Sequence, residues 1–97
     1  MDRLYLLKNL DVNALSIAVE SERSGLLLMQ DATLMLNESR KESRLVKTIL
    51  NKGRPVYYLG RDVERRGLTG KLVSGAQPLD YDGMVDLFFG GATVINV

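Results

Sequence analysis

Three short runs of apolar residues lack the alternation of apolar and polar positions that marks a half-exposed strand. They cover residues 4–8 (LYLLK), 26–29 (LLLM) and 56–59 (VYYL). Continuous runs of this length are typical of strands that are covered on both faces, as in parallel sheets. Two later segments, PLDY at 78–81 and ATVINV at 92–97, predict a fourth and a fifth strand.

Helical spacing lies between these runs. Residues 13–23 contain apolar residues four apart, which predicts a first helix. Residues 32–52 contain neither Gly nor Pro until Gly53 ends the segment, which predicts a second. Eight polar residues at 37–44 (NESRKESR) interrupt this second helix, and we expect them to face solvent as a loop or an exposed turn.

Two further helices are predicted in the second half of the chain. A short helix, VERR at 63–66, follows Asp62 as its N-cap and ends at Gly67. A last helix begins at Asp80 or Asp82 and carries an apolar stripe that we expect to lie in the core. The stripe consists of Met84, Val85, Phe88 and Phe89.

The alternation of strands and helices predicts an α/β fold with right-handed crossovers. We expect a small three-layer sandwich with a mainly parallel sheet of four or five strands. With 97 residues, of which 45% are hydrophobic, the chain has room for one domain, spanning 1–97.

Composition excludes several kinds of function. The chain has neither Cys nor His, so it cannot form a disulfide, a thiolate or imidazole metal site, a Ser-His pair or a persulfide of its own. The formal net charge of +1 disfavours tight binding to nucleic acid or to an anionic membrane. No segment resembles a signal peptide or the roughly 20 apolar residues of a membrane span, so we expect a cytoplasmic protein.

Polar residues directly follow the apolar runs, where ligands and partners of open parallel sheets usually bind. The candidates for contact with a partner or ligand are Lys8, Gln30, Asp31, Arg61, Asp62, Tyr81 and Asp82. The aspartates also have a structural interpretation as helix N-caps, and for each aspartate alone we favour that interpretation. Gln30 and Asp31 are the strongest functional candidates. No catalytic motif, cofactor fingerprint or metal-ligand cluster is present.

Three segments resemble the DsrH/TusB family of sulfur-relay subunits in their order and spacing. They are LLLMQDATLML (26–36), VYYLGRDVERRGL (56–68) and LDYDGMVDLF (79–88). The resemblance covers nearly the whole chain, and its most telling parts are the Gln30-Asp31 pair, the element from Asp62 to Gly67, and YDGMVDL. Two features depart from the family pattern: Ala32 replaces a common glycine, and the charged stretch 37–44 is an elaboration.

The resemblance implies a small α/β subunit that assembles with DsrE/TusD-like and DsrF/TusC-like homologues. In such a complex, a cysteine of the DsrE/TusD-like subunit carries a persulfide and passes it to a DsrC/TusE-like acceptor. In TusB-type systems the sulfur ends in the 2-thiouridine of tRNA wobble positions, and in DsrH-type systems it belongs to sulfur oxidation. The chain itself would be non-catalytic, without a cofactor and without direct contact to nucleic acid or membrane.

Two alternatives remain open from the residues. A stand-alone homo-oligomer could bind a small anionic ligand over the same strand-end loops. An enzyme could use a perturbed carboxylate or lysine. Aromatic residues are enriched in interface cores, although packing within the domain is the simpler interpretation of each one here. The aromatic candidates for a subunit interface are Tyr57, Tyr58, Phe88 and Phe89.

Overall fold

A computed structural model describes all 97 residues and contains a five-stranded sheet. The strands are β1 (Arg3–Leu7), β2 (Ser24–Leu28), β3 (Val56–Leu59), β4 (Gln77–Leu79) and β5 (Thr93–Asn96). Their order across the sheet is β4-β3-β2-β1-β5, and all neighbouring strands are parallel. The predicted α/β fold with a parallel sheet is therefore confirmed.

Five helical segments connect the strands. They are α1 (Val12–Glu20), a 3-10 helix (Gln30–Leu36), α2 (Ser43–Asn51), α3 (Gly60–Arg65) and α4 (Tyr81–Phe88). The polar interruption is confirmed for 37–42, where turns and one antiparallel bridge from Asn37 to Leu72 separate the 3-10 helix from α2. The expected solvent exposure is wrong for Ser43, which begins α2 and is 2% exposed because its hydroxyl donates to the Arg40 carbonyl at 2.8 Å. No helix is long and apolar enough to cross a membrane.

The two faces of the sheet carry cores of unequal size. Seventeen buried residues form the larger core, in which α1, α2 and α3 pack on side chains of β1, β2 and β3. The opposite face has only three buried residues, Leu4, Leu6 and Leu27, and α4 packs against them. Helix α4 connects the two edge strands, β4 and β5, and this is the one connection that crosses the sheet on this face. A single helix therefore forms the third layer.

Only two of the four residues in the apolar stripe of α4 pack against the sheet. The expectation that the other two lie in the core is wrong. Met84 and Phe88 pack against the smaller core. Val85 is 44% exposed and Phe89 is 85% exposed. Because α4 is the outer layer on its face, the side of the helix away from the sheet has nothing to pack against.

The first helix ends earlier than its apolar spacing predicts. Asp11 caps α1, since its Oδ1 accepts hydrogen bonds from the backbone N–H groups of Asn13 at 3.0 Å and Ala14 at 3.1 Å. The helix stops at Glu20 instead of continuing to Arg23, whose φ of +60° turns the chain into β2. Gly25 therefore lies inside β2, where a Cβ would come within 3.2 Å of the Pro55 ring.

A buried arginine holds the C-terminal end of α1 against β2. Arg54 is 9% exposed, and its Nη1 donates to the Val19 carbonyl while Nε donates to the Ser24 carbonyl, both at 2.9 Å. Its Nη2 donates to the Ala18 carbonyl and to the Ser24 hydroxyl. Burial lowers the pKa of the guanidinium, which is still too basic to lose its proton near neutral pH.

No carboxylate pairs with this arginine. The charge is instead compensated by carbonyl groups, two of which, Ala18 and Val19, belong to the last turn of α1. The Ala18 carbonyl also accepts from the Ser21 N–H at 3.2 Å, so the Val19 carbonyl is the one that depends on Arg54 alone. The C-terminal end of a helix also carries partial negative charge, which favours a cation there. Arg54 thus serves as a helix cap supplied from a distant part of the chain.

Candidate functional site

A cleft of about 590 Å³ opens at the carboxyl ends of β2 and β3. The helix after β3 lies on one face of the sheet and the helix after β4 lies on the other, which creates a crevice of the kind that binds ligands in open α/β sheets. The polar side chains that line it are Gln30, Asp31, Asp62, Arg65, Arg66 and Tyr81.

A strained residue at the start of the 3-10 helix is held by a buried carboxylate. Gln30 has a φ of +49°, in the left-handed region that non-glycine residues rarely occupy. Its backbone N–H donates to Asp62 Oδ2 at 2.7 Å, and its carbonyl accepts from Thr33 Oγ1 at 2.7 Å. Asp62 is 7% exposed, so the carboxylate side of this hydrogen bond is shielded from water.

The predicted N-cap role of Asp62 is therefore wrong. Helix α3 begins at Gly60, three residues earlier than the cap interpretation requires, and Leu59 is the capping position. This places Asp62 in the first turn of the helix, from where its side chain reaches the loop after β2. The carboxylate joins the two loops that form the cleft.

Asp31 is not a helix cap either, because Met29 occupies that position of the 3-10 helix. Its Oδ1 accepts hydrogen bonds from Arg66 Nε at 3.1 Å and Nη2 at 2.9 Å. Nη1 of Arg66 donates to the Asp62 carbonyl at 3.2 Å. The Asp31 side chain is 65% exposed, so the ion pair contributes little to stability and leaves the second carboxylate oxygen without a protein partner.

The start of α4 forms the other wall of the cleft. Asp80 caps this helix, and its Oδ1 accepts from the Gly83 N–H at 2.7 Å. Of the two predicted starts of the helix, Asp80 and Asp82, the first is therefore confirmed. The predicted fourth strand accordingly stops at Leu79, and Tyr81 belongs to the helix. The Arg61 guanidinium lies 5.7 Å from the centre of the Tyr81 ring, in a cation–π contact.

Four of the seven candidates thus line the cleft, and Arg61 adjoins it through Tyr81. Lys8 and Asp82 lie outside it. Lys8 reaches the segment after β2 only through its backbone carbonyl, which accepts a hydrogen bond from the Ala32 N–H at 3.2 Å. Asp82 is exposed in the first turn of α4.

The sequence interpretation missed two arginines of the cleft. Arg66 holds Asp31, and Arg65 is exposed with no hydrogen bond or ion pair from its side chain. A signal was available, because Arg66 is part of the Asp62–Gly67 element on which the resemblance rests.

No group of three or more His, Cys, Asp or Glu side chains is placed to hold a metal ion. What the cleft offers is hydrogen bonding and charge.

The family model described as DsrH-like protein matches residues 4–93. The chain belongs to the DsrH-like family. It is 35% identical over 77 residues to the protein TusB of Yersinia pestis and, at the same level, to TusB of Yersinia pseudotuberculosis. These matches cover 79% of this chain and 77% of each relative.

Solved structures support the same fold for this DsrH-like chain. The YchN protein of E. coli superimposes with a TM-score of 0.83 at 17% identity, with both chains fully covered. A protein of unknown function from Methanobacterium thermoautotrophicum gives a TM-score of 0.82 at 14% identity, also over both full chains. At such low identity these likenesses concern the fold alone.

Proposed function

We propose that this DsrH-like chain is a non-catalytic subunit of a heteromeric sulfur-relay complex. The complex would support persulfide transfer toward 2-thiolation of the tRNA wobble uridine. The observation that carries the proposal is the 35% identity to TusB over 79% of the chain. The expected location is the cytoplasm.

The composition supports the non-catalytic part of the proposal. A persulfide needs a cysteine thiol, and the chain has none. The sulfur-carrying cysteine would therefore belong to a DsrE/TusD-like subunit, with a DsrF/TusC-like subunit completing the complex and a DsrC/TusE-like protein accepting the sulfur. The role left to this chain is assembly and the positioning of partners.

Within this role, the cleft is the surface that we assign to a partner. Arg65 lines the cleft with an unused guanidinium, and Asp31 keeps one exposed carboxylate oxygen free. Charged groups of this kind form hydrogen bonds of roughly twice the strength of neutral ones when a partner excludes water from them. Tyr81, 53% exposed beside them, adds an aromatic surface of the type enriched in interfaces.

Coexpression with the TusD-like and TusC-like proteins of the same organism should yield one heteromeric complex on size exclusion. After incubation with a sulfur donor, mass spectrometry should find sulfane sulfur on the TusD-like subunit and none on this chain. The Arg65→Ala variant should keep its melting temperature, because the exposed side chain has no hydrogen bond or ion pair to lose, but weaken complex formation or sulfur delivery.

Lys71→Ala, which removes an exposed cation away from the cleft, is the control and should behave as the wild type. Separate elution of the three proteins, or a stoichiometric sulfur adduct on this chain, would contradict the proposed subunit role. Equal behaviour of Arg65→Ala and Lys71→Ala would contradict only the assignment of the cleft.

A further inference from the structure

The charges of this chain are segregated although they nearly cancel overall. Between residues 40 and 54 there are six Lys or Arg side chains and one acidic side chain. Between residues 72 and 97 there are three aspartates and no Lys or Arg. The first segment contains α2 and the second contains α4, and these helices pack on opposite faces of the sheet.

The basic side is the solvent-facing surface of α2 and the turn before it. Its exposed cations are Lys41, Arg44, Lys47 and Lys52. The one acidic residue, Glu42, does not offset them, because Arg40 Nη2 donates to its Oε1 at 2.9 Å. That hydrogen bond also lowers the pKa of Glu42, so the pair stays ionised and internally neutralised at neutral pH.

An apolar groove lies beside two of these cations, Lys41 and Arg44. It has a volume of about 300 Å³ and is lined by Val12 of α1 and Leu45 of α2, and its charged lining residues are the two cations and Glu42, which Arg40 neutralises. Val12 is 46% exposed. We call the groove together with the four exposed cations the basic face.

The outer side of α4 has the complementary chemistry. Three apolar side chains are four residues apart, namely Tyr81, Val85 and Phe89, and all are at least 44% exposed. Asp82 and Asp86 follow the first two of them directly, and both are exposed. Residues at this spacing share one side of a helix. We call these five residues the acidic face.

We propose that the acidic face of one copy of this chain docks on the basic face of a second copy. The phenyl ring of Phe89, 85% exposed, would enter the apolar groove, and Asp82 and Asp86 would approach the cations beside it. The occupant is a protein helix and not a nucleic acid, because the basic face contains an apolar groove and no aromatic side chain on which a base could stack.

The two faces are different surfaces, so the contact is heterologous. Each added copy leaves one acidic and one basic face unoccupied until a ring closes. The association does not depend on the proposed sulfur-relay role, since both surfaces belong to this chain.

The test uses the isolated full-length chain in sedimentation velocity over a range of concentrations. The wild type should show a weight-average mass that rises above the 10.8 kDa of the monomer, and more so at low salt, because salt screens charge pairs of this kind. Asp86→Lys and Lys47→Glu should each weaken association by at least about tenfold, since like charges then face each other. Phe89→Ser should weaken it comparably without loss of fold, because the side chain packs on little.

The decisive arm is an equimolar mixture of Asp86→Lys with Lys47→Glu. In each variant alone, every contact brings two like charges together. In the mixture, the altered acidic face of Asp86→Lys can meet the altered basic face of Lys47→Glu, with opposite charges again. The unaltered faces of the two variants meet in the next contact. The mixture should therefore recover the association of the wild type. Lys71→Glu, which reverses an exposed charge outside both faces, is the control and should associate as the wild type does.

A wild-type chain that stays monomeric at its highest soluble concentration in low salt would overturn the proposal. So would association that Asp86→Lys and Lys47→Glu leave unchanged, or a mixture that does not recover. If the wild type is monomeric and Lys47→Glu instead weakens binding to a TusD-like or TusC-like subunit, the basic face serves that partner and the second-copy proposal is wrong.

Discussion

Replacing Arg54 by methionine should lower the free energy of unfolding by about 3 kcal/mol. The substitution keeps the length of the aliphatic stem but removes every donor. The carbonyls of Val19 and Ser24 would then lose the guanidinium donors, and the Ala18 carbonyl would keep only its hydrogen bond from the helix-capping N–H at 3.2 Å. A hydrogen bond to a charged group is worth about 1.5–3 kcal/mol, and the losses are not additive because the guanidinium acts as a unit.

Thermal and urea unfolding measure this effect, and for a domain of this size it corresponds to a fall in melting temperature of roughly 12–24 °C. Arg54→Lys should recover only part of the loss, because an ammonium group cannot reproduce the planar fork of donors. Arg44→Met removes an exposed arginine from α2 and should change stability by less than about 0.5 kcal/mol. If Arg54→Met were as stable as Arg44→Met, the capping role of Arg54 would be wrong.

Asp62→Ala should cost about 2 kcal/mol, because it leaves the part-buried Gln30 N–H without its charged acceptor. It also removes the group that holds Gln30 at its positive φ, so the loop after β2 should become mobile. Faster amide hydrogen exchange at residues 30–33 would report that loss of order, and chemical denaturation would report the stability.

Asp62→Asn separates the hydrogen bond from the charge. The amide oxygen can still accept from Gln30, so most of the stability should remain. Asp82→Ala, in the exposed first turn of α4, is the control and should be nearly silent. Protection of residues 30–33 in Asp62→Ala equal to that of the wild type would show that the carboxylate does not hold the loop.

The strands and their parallel arrangement were predictable because they depend on local composition. The continuous runs at 4–8 and 26–29 become β1 and β2, whose side chains are buried on both faces of the sheet. Helix α4 was predictable for the same reason, since Asp80 and the apolar residues after it are all near in sequence. The exposure of Phe89 was not predictable, because the spacing of apolar residues does not show whether another layer packs on the outer side of the helix.

The parts that sequence reasoning missed depend on contacts between residues that are far apart in the chain. An aspartate just after a strand looks like a helix cap, but Asp31 pairs with an arginine 35 residues away and Asp62 binds a backbone N–H 32 residues away. Arg54 reaches Ala18 across 36 residues. Local patterns give no signal for such partners, although Gln30, Asp31 and Asp62 could be placed at one edge of the sheet from topology alone.

The 2-thiouridine content of tRNA tests the proposed role most directly. It would be measured by nucleoside mass spectrometry in the source organism, in a strain from which this gene has been deleted and in the same strain carrying the gene on a plasmid. We expect 2-thiouridine at the wobble position to fall sharply in the deletion strain and to return with the plasmid. An unchanged 2-thiouridine content in the deletion strain would contradict a role in tRNA thiolation.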